Sequence, residues 1–270
     1  MSDFKGLIEI NNTKLFFRVK GEGEPVVFIH GMFNDHRVWE YQIDVFASRY
    51  KVICLDQRGY GKSDLPIGPF SHLEDIRALM DAFSLTKASI IGSSRGGAVA
   101  TEFALKYPEM VKNLVLVGSD LKGFPYPPDH IQQIMNLFMI MQSAGLEAGI
   151  NDYIANPYWA YCYPSPNRPE ARDKVIQIVR ESMNAFRWVP TWDVELTPSA
   201  FESVEKIELP VLLIMGEKDH ELNQQIEDYL HGKIKNSKKI VMEDCCHFPF
   251  VEKPEEFNQI VLEFLQGVVK

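Results

Sequence analysis

Short apolar runs recur along the chain, and longer stretches with apolar residues at helical spacing separate them. Residues 25–29, 51–55, 88–91, 112–118, 210–215 and 239–242 are the runs. A strand that is apolar on both faces has to be covered on both, which marks a parallel sheet sandwiched between helices. The stretches 37–48, 73–83, 98–106, 222–234 and 254–269 supply those helices. Residues 7–10 and 14–19 flank Asn11-Asn12 instead, the pattern of an antiparallel hairpin at the sheet edge. The pattern therefore predicts an α/β fold, a mostly parallel sheet covered by helices on both faces.

The alternation breaks once, over 121–203. Tyr126, Tyr153, Tyr158, Trp159, Tyr161, Tyr163, Trp188 and Trp192 crowd into this stretch, together with many prolines. Helices are expected at 129–144 and 171–185. In the first, Ile131, Ile134, Met135, Phe138 and Met139 share a face, and Leu137, Ile140 and Met141 widen the apolar arc, so cover on more than one side is expected. The stretch reads as a helical cap, 121–203, inserted into a core made of 1–120 and 204–270. Phe138, Trp159 and Trp188 of the cap and Phe33 of the core are the candidate pocket-lining residues.

Run 88–91 enters Gly92-Ser93-Ser94-Arg95-Gly96-Gly97, and a helix former follows at once. So abrupt a change needs a tight, strained turn, and Gly92 and Gly96 remove side chains that would collide with it. Ser94 is left at the tip. There the helix N-terminus offers free N–H groups and partial positive charge, suited to an oxygen that becomes an anion during acyl transfer.

Serine needs a base to take its proton, and histidine suits this near neutral pH. His30 lies in a loop beside the turn, while His36, His72, His130, His220 and His231 lie in or next to helices; His247 follows a strand end late in the chain and is the candidate. The base needs a carboxylate to fix its tautomer. Asp219, just after an apolar run, is best placed; Asp120 is the rival, expected to cap a turn, with Glu217 and Asp193 behind it. Backbone N–H groups of Met32 and Arg95 are the expected oxyanion donors.

Five motifs stand in order: His30-Gly31-Met32, Asp56-x-Arg58-Gly59-x-Gly61-x-Ser63, Gly92-x-Ser94-x-Gly96, Gly216-x-x-Asp219 and His247-Phe248-Pro249. With them the chain resembles the α/β-hydrolase superfamily over about 26–264, in its subgroup of small cofactor-free esterases and hydrolases with a helical cap. The resemblance implies a serine nucleophile, an acid and a histidine base in that chain order. Two positions depart from the family pattern. Cys245-Cys246 precede the histidine, where a small residue, often glycine, is common, and are expected to be buried packing. Arg95 stands where an apolar residue is common. In the related fluoroacetate dehalogenases an arginine there helps bind a carboxylate, but the nucleophile is aspartate and a second arginine assists; Ala98 holds that second position. The Arg95 side chain is therefore expected to pair with a local acid such as Glu102.

At 270 residues and 46% hydrophobic composition the chain can bury a large core. Its 28 basic and 37 acidic residues give a net charge of −9, which argues against a nucleic-acid partner. No apolar run approaches the ~20 residues of a membrane helix, and the polar start lacks the order of a secretory signal. The four cysteines lack metal-ligand spacing. These features predict a cytoplasmic protein with reduced thiols, and together with the resemblance they give the expectation of a monomer or homodimer that uses neither metal nor cofactor. The expected activity is a serine hydrolase cleaving small carboxylic esters with an apolar or aryl group. A carbon–carbon bond hydrolase, lactonase, thioesterase or perhydrolase on the same triad is the alternative, as is a slow-turnover ligand receptor. Epoxide hydrolases and dehalogenases need aspartate where Ser94 stands.

Overall fold

The computed structural model describes residues 3–188 and 190–268. Eight strands form one sheet: β1 (Asp3–Ile10), β2 (Thr13–Lys20), β3 (Pro25–Ile29), β4 (Lys51–Leu55), β5 (Ala88–Ser93), β6 (Val111–Val117), β7 (Val211–Gly216) and β8 (Ser237–Met242). Their spatial order is β1-β2-β4-β3-β5-β6-β7-β8. The β1–β2 hairpin pairs antiparallel to β4, and every pairing from β4 through β3 to β8 is parallel.

Alternate residues of the apolar strands feed two cores. Val26, Phe28, Ile91 and Val115 point to one face, where α1 (Glu40–Ala47) and α9 (Pro254–Leu265) contribute Ile43, Phe46, Phe257 and Val261. Val27, Ile29, Ile90 and Leu114 point to the other, against Leu73 and Ile76 of α2 (His72–Ala82), Val99 and Phe103 of α3 (Arg95–Lys106), and Leu222 and Leu230 of α7 (Glu221–Lys233). This two-sided burial is why the runs show no polar alternation. The single turn α8 (Pro249–Glu252) stacks Phe250 on Trp39, with ring centroids 4.2 Å apart.

Between β6 and β7 the chain forms α4 (Pro128–Ala144), α5 (Leu146–Ala155) and α6 (Pro169–Glu181). The hydrophobic pattern misses α5. Only Gly145, at φ 93°, separates it from α4, so two consecutive helices read as one helix and a loop. Helix α4 also corrects an expectation: it is covered on one side only. Leu137 is buried, whereas Ile131, Met135 and Met139 are 44%, 53% and 52% exposed.

The insert is tied to the loop before α2 by backbone bonds from Phe70 N–H to Trp192 O (2.8 Å) and from Val194 N–H to Phe70 O (2.7 Å). Trp188 fills a slot at the Gly59 turn, where its indole N–H donates to Gly59 O at 3.1 Å. Among the described residues no helix is long and apolar enough to cross a membrane.

The departure at Cys245-Cys246 is accommodated across the sheet end. A Cβ on Gly216 would lie 1.9 Å from Cys246 O and 2.4 Å from Cys245 O. Gly216→Ala should therefore cost about 1–3 kcal/mol or more, as overpacking does. Gly232, near the end of α7, is the control, because a Cβ added there would meet nothing within 4 Å; Gly232→Ala should gain about 0.5–1 kcal/mol. Urea denaturation of both variants checks the contrast.

Candidate active site

Ser94 joins β5 directly to α3 with φ 54° and ψ −124°, a left-handed conformation costly for a residue with a Cβ. Its N–H donates to Val117 O (2.9 Å), and its carbonyl accepts from Asp120 N–H (3.0 Å). Close approach holds the rest of the turn: a Cβ on Gly96 would lie 2.4 Å from both Ile29 O and His30 O. That contact brings the 30–33 loop against the turn, and Met32, Phe33, Ser94 and Arg95 share one cavity wall.

His247 reaches the same cavity from the loop after β8. Its Nδ1 lies 2.8 Å from Asp219 Oδ2, and both residues are buried. A carboxylate facing Nδ1 fixes the proton there and leaves Nε2 as the acceptor. Asp219 Oδ1 is held in turn by His220 N–H and the Asn223 side-chain amide, each at 2.7 Å. Asn223 was not singled out from the sequence; its signal is the four-residue spacing from Asp219 into α7.

The other three acids are engaged elsewhere. Asp120 Oδ1 accepts from Leu121 N–H (2.7 Å) and from the Tyr126 hydroxyl. Glu217 accepts from Asp244 N–H at 2.9 Å. Asp193 anchors a buried ion cluster described below. His30 is equally occupied, with Nδ1 2.8 Å from Gly31 O and Nε2 accepting from Gln57 N–H at 3.0 Å; burial lowers its pKa.

The cavity encloses about 260 Å³. The insert contributes Tyr126, His130, Ile134, Leu137, Phe138, Tyr153, Trp159, Tyr161 and Cys162 to its wall. Of the four candidate lining residues, Phe33, Phe138 and Trp159 border this cavity. Trp188 does not; its ring packs among Tyr60, Phe70 and His72, outside the cavity wall. An aromatic in an insert can line a pocket or dock the insert, and the Gly59 turn decides the matter for this one. Burial pushes the Cys162 thiol up to about 12, so it is a neutral wall group.

Arg95 also corrects an expectation. Its guanidinium pairs with Asp193 of the insert (2.9 Å), not with Glu102. Glu102 is taken by Lys122 at 2.7 Å. The same Asp193 oxygen lies 2.7 Å from Lys122 Nζ and 3.0 Å from His72 Nδ1. Burial opposes ionisation of Asp193, but His72, Lys122 and Arg95 together hold its carboxyl well below the usual range.

Asp35, His36 and Asp56 converge closely enough to offer a metal three ligand atoms. Those atoms are already engaged. Asp56 Oδ1 accepts from the His36 backbone N–H (2.8 Å) and lies 2.7 Å from its Nδ1, while Oδ2 accepts from Lys62 N–H (2.9 Å). Asp35 is paired with Arg37 at 2.7 Å and accepts from the Ser182 hydroxyl at 2.8 Å.

A serine on a left-handed strand-to-helix turn, with an Asp–His pair contributed by later loops at the same end of a mostly parallel sheet, is the arrangement of an α/β hydrolase. The chain belongs to the α/β-hydrolase family: the family model described as alpha/beta hydrolase fold matches residues 24–254. It is similar to the 2-hydroxy-6-oxononadienedioate/2-hydroxy-6-oxononatrienedioate hydrolase of Paraburkholderia phymatum, 28% identical over 90% of this chain and 87% of that one. It is also similar to the 2-hydroxy-6-oxo-6-(2'-aminophenyl)hexa-2,4-dienoic acid hydrolase of Metapseudomonas resinovorans, 26% identical over 91% of this chain and 85% of that one. Among solved structures, the enol-lactonase from Burkholderia xenovorans LB400 superposes with a TM-score of 0.82 at 18% identity, covering 97% of this chain and all of that one. Hydrolase chemistry on a small molecule is the activity this membership supports.

Two buried acids near the site carry predictions. Asp193→Asn leaves Arg95 and Lys122 short of a counter-charge and should cost about 3–5 kcal/mol, read by chemical denaturation. Glu227 on α7 is fully buried and accepts from Ser119 N–H at 2.9 Å, and burial pushes its carboxyl up to about 8 from an ordinary 4.5. The folded protein therefore holds one more proton than the unfolded chain across that window. Stability should fall as pH rises through it, by up to about 1.4 kcal/mol per unit. Glu227→Gln keeps an acceptor for Ser119 N–H and should remove the slope, measured as unfolding free energy against pH.

Proposed function

We propose that the protein is a serine hydrolase that cleaves small carboxylic esters through an acyl-enzyme. The contact that carries the reading is the 2.8 Å pairing of Asp219 with His247, whose ring borders the same cavity as Ser94. In this scheme Ser94 Oγ attacks the ester carbonyl as His247 Nε2 takes its proton, and Asp219 stabilises the imidazolium. The N–H groups of Met32 and Arg95 receive the oxyanion; neither is used in a backbone bond among the described residues. His247 then protonates the leaving alcohol and activates water against the acyl-enzyme. No step calls on a metal or cofactor.

The insert, 121–203, acts as a cap over the core formed by 1–120 and 204–270. Its aromatic wall favours an apolar or aryl group on the substrate. The relatives named as 2-hydroxy-6-oxo-dienoate hydrolases favour a second reading, in which the same three residues cleave a carbon–carbon bond.

Turnover of aryl esters, lactones, thioesters and vinylogous diketones by the pure protein separates the two readings. On the best substrate, Asp219→Asn should lower kcat by about 10³-fold or more while the melting temperature holds. Glu217→Gln should stay within a few-fold. Unchanged turnover in Asp219→Asn would transfer the acid's role, and arrest near one equivalent in the wild type would point to a receptor.

A further inference from the structure

One stretch of the cavity wall is polar in a way that the acyl-transfer chemistry does not use. Asp120 is anchored to the nucleophile turn through its N–H, which donates to Ser94 O at 3.0 Å, and its side chain is held at Oδ1, which accepts from Leu121 N–H and the Tyr126 hydroxyl. Its rotamer is thereby fixed. Oδ2 has no hydrogen-bond partner among the described residues, and Asp120 lines the cavity.

Arg95 lines the same cavity. Its guanidinium is tied to Asp193 through Nη2, and its buried Nε–H has no partner among the described residues. The charges of Arg95 and Asp120 act on each other, yet the two side chains form no ion pair; the Arg95 pair is with Asp193.

A group that sits between them has to accept from the guanidinium and donate to the carboxylate. A hydroxyl does both. A carboxylate only accepts and would face Asp120, an ammonium only donates and would face Arg95, and a methyl leaves both polar groups dehydrated and unpaired. We infer that Asp120 and Arg95 form a subsite for a hydroxyl group of the substrate, beside the bond cleaved at Ser94. The inference rests on this cavity being the substrate site, as proposed above.

The test is a set of phenyl butanoate analogues bearing a hydroxyl, methyl or ammonium substituent, moved along the acyl chain and then onto the alcohol. At one position or more the hydroxyl should raise kcat/KM about ten-fold or more over its methyl counterpart, the worth of a hydrogen bond to a charged group. Asp120→Asn keeps an acceptor for Leu121 and Tyr126 and replaces the open oxygen with a donor, so the preference should collapse toward one. Arg95→Met, a second and independent variant, should reduce it in the same direction. The subsite is overturned if no position shows the preference, if the preference survives both substitutions, or if the ammonium analogue outperforms the hydroxyl. Calorimetric binding of the same analogues to Ser94→Ala protein reads the ratio without turnover. Should the wild type cleave none of these esters, that ratio still decides the subsite, while the failure falls on the proposed ester hydrolysis.

Discussion

The left-handed backbone of Ser94 is the constraint on which the site depends. A non-glycine residue there costs about 1–3 kcal/mol, and the cost persists only because the surroundings over-determine it. Two backbone bonds hold Ser94 to the end of β6 and to Asp120, while Gly96 lets the 30–33 loop press against the turn. One strained residue thus fixes the Met32 loop, the start of α3 and the Asp120 turn relative to one another. Those are three of the surfaces that meet at the cavity.

Buried carboxylates divide the remaining work by their partners. Asp219 faces His247 and is oriented by the N-terminal turn of α7, through His220 N–H and Asn223. Asp193 faces three cationic or ionisable side chains and joins the end of the insert to α2, to α3 and, through Lys122, to the insert's own start after β6. Glu227, with one N–H donor and no cation within ion-pairing reach among the described residues, favours its protonated form. Charge state follows from the neighbours each fold position supplies, not from the residue type.

The insert is built with different inner and outer faces. Ile134, Leu137 and Phe138 of α4 line the cavity, together with Tyr153 of α5 and Trp159 beyond it. Backbone pairing at Phe70, the Trp188 indole at Gly59 and the His247 N–H bonded to Tyr161 O at 3.1 Å hold that wall to loops of the core. The wall is positioned by contacts far apart in sequence, so cavity shape and core stability are coupled.

Local sequence determined the core of this protein. Runs such as 25–29 and 51–55 match β3 and β4 to the residue, because an uninterrupted apolar stretch bounded by turn residues has few ways to bury itself. The Gly92-x-Ser94-x-Gly96 turn was legible for the same reason: its geometry needs those residue types within five positions. Tertiary structure decided everything that joins distant segments. Asp219 and Asp120 both follow strands, and only the chain's return past β7 and β8 brings one of them to His247. Arg95 could not be matched with Asp193 across ninety-eight positions, nor could Trp188 be assigned to docking, because a charge or a ring carries no local mark of its partner. Helix α5 was hidden for a subtler reason: a single left-handed glycine separates it from α4, and hydrophobic spacing alone does not register that change of direction.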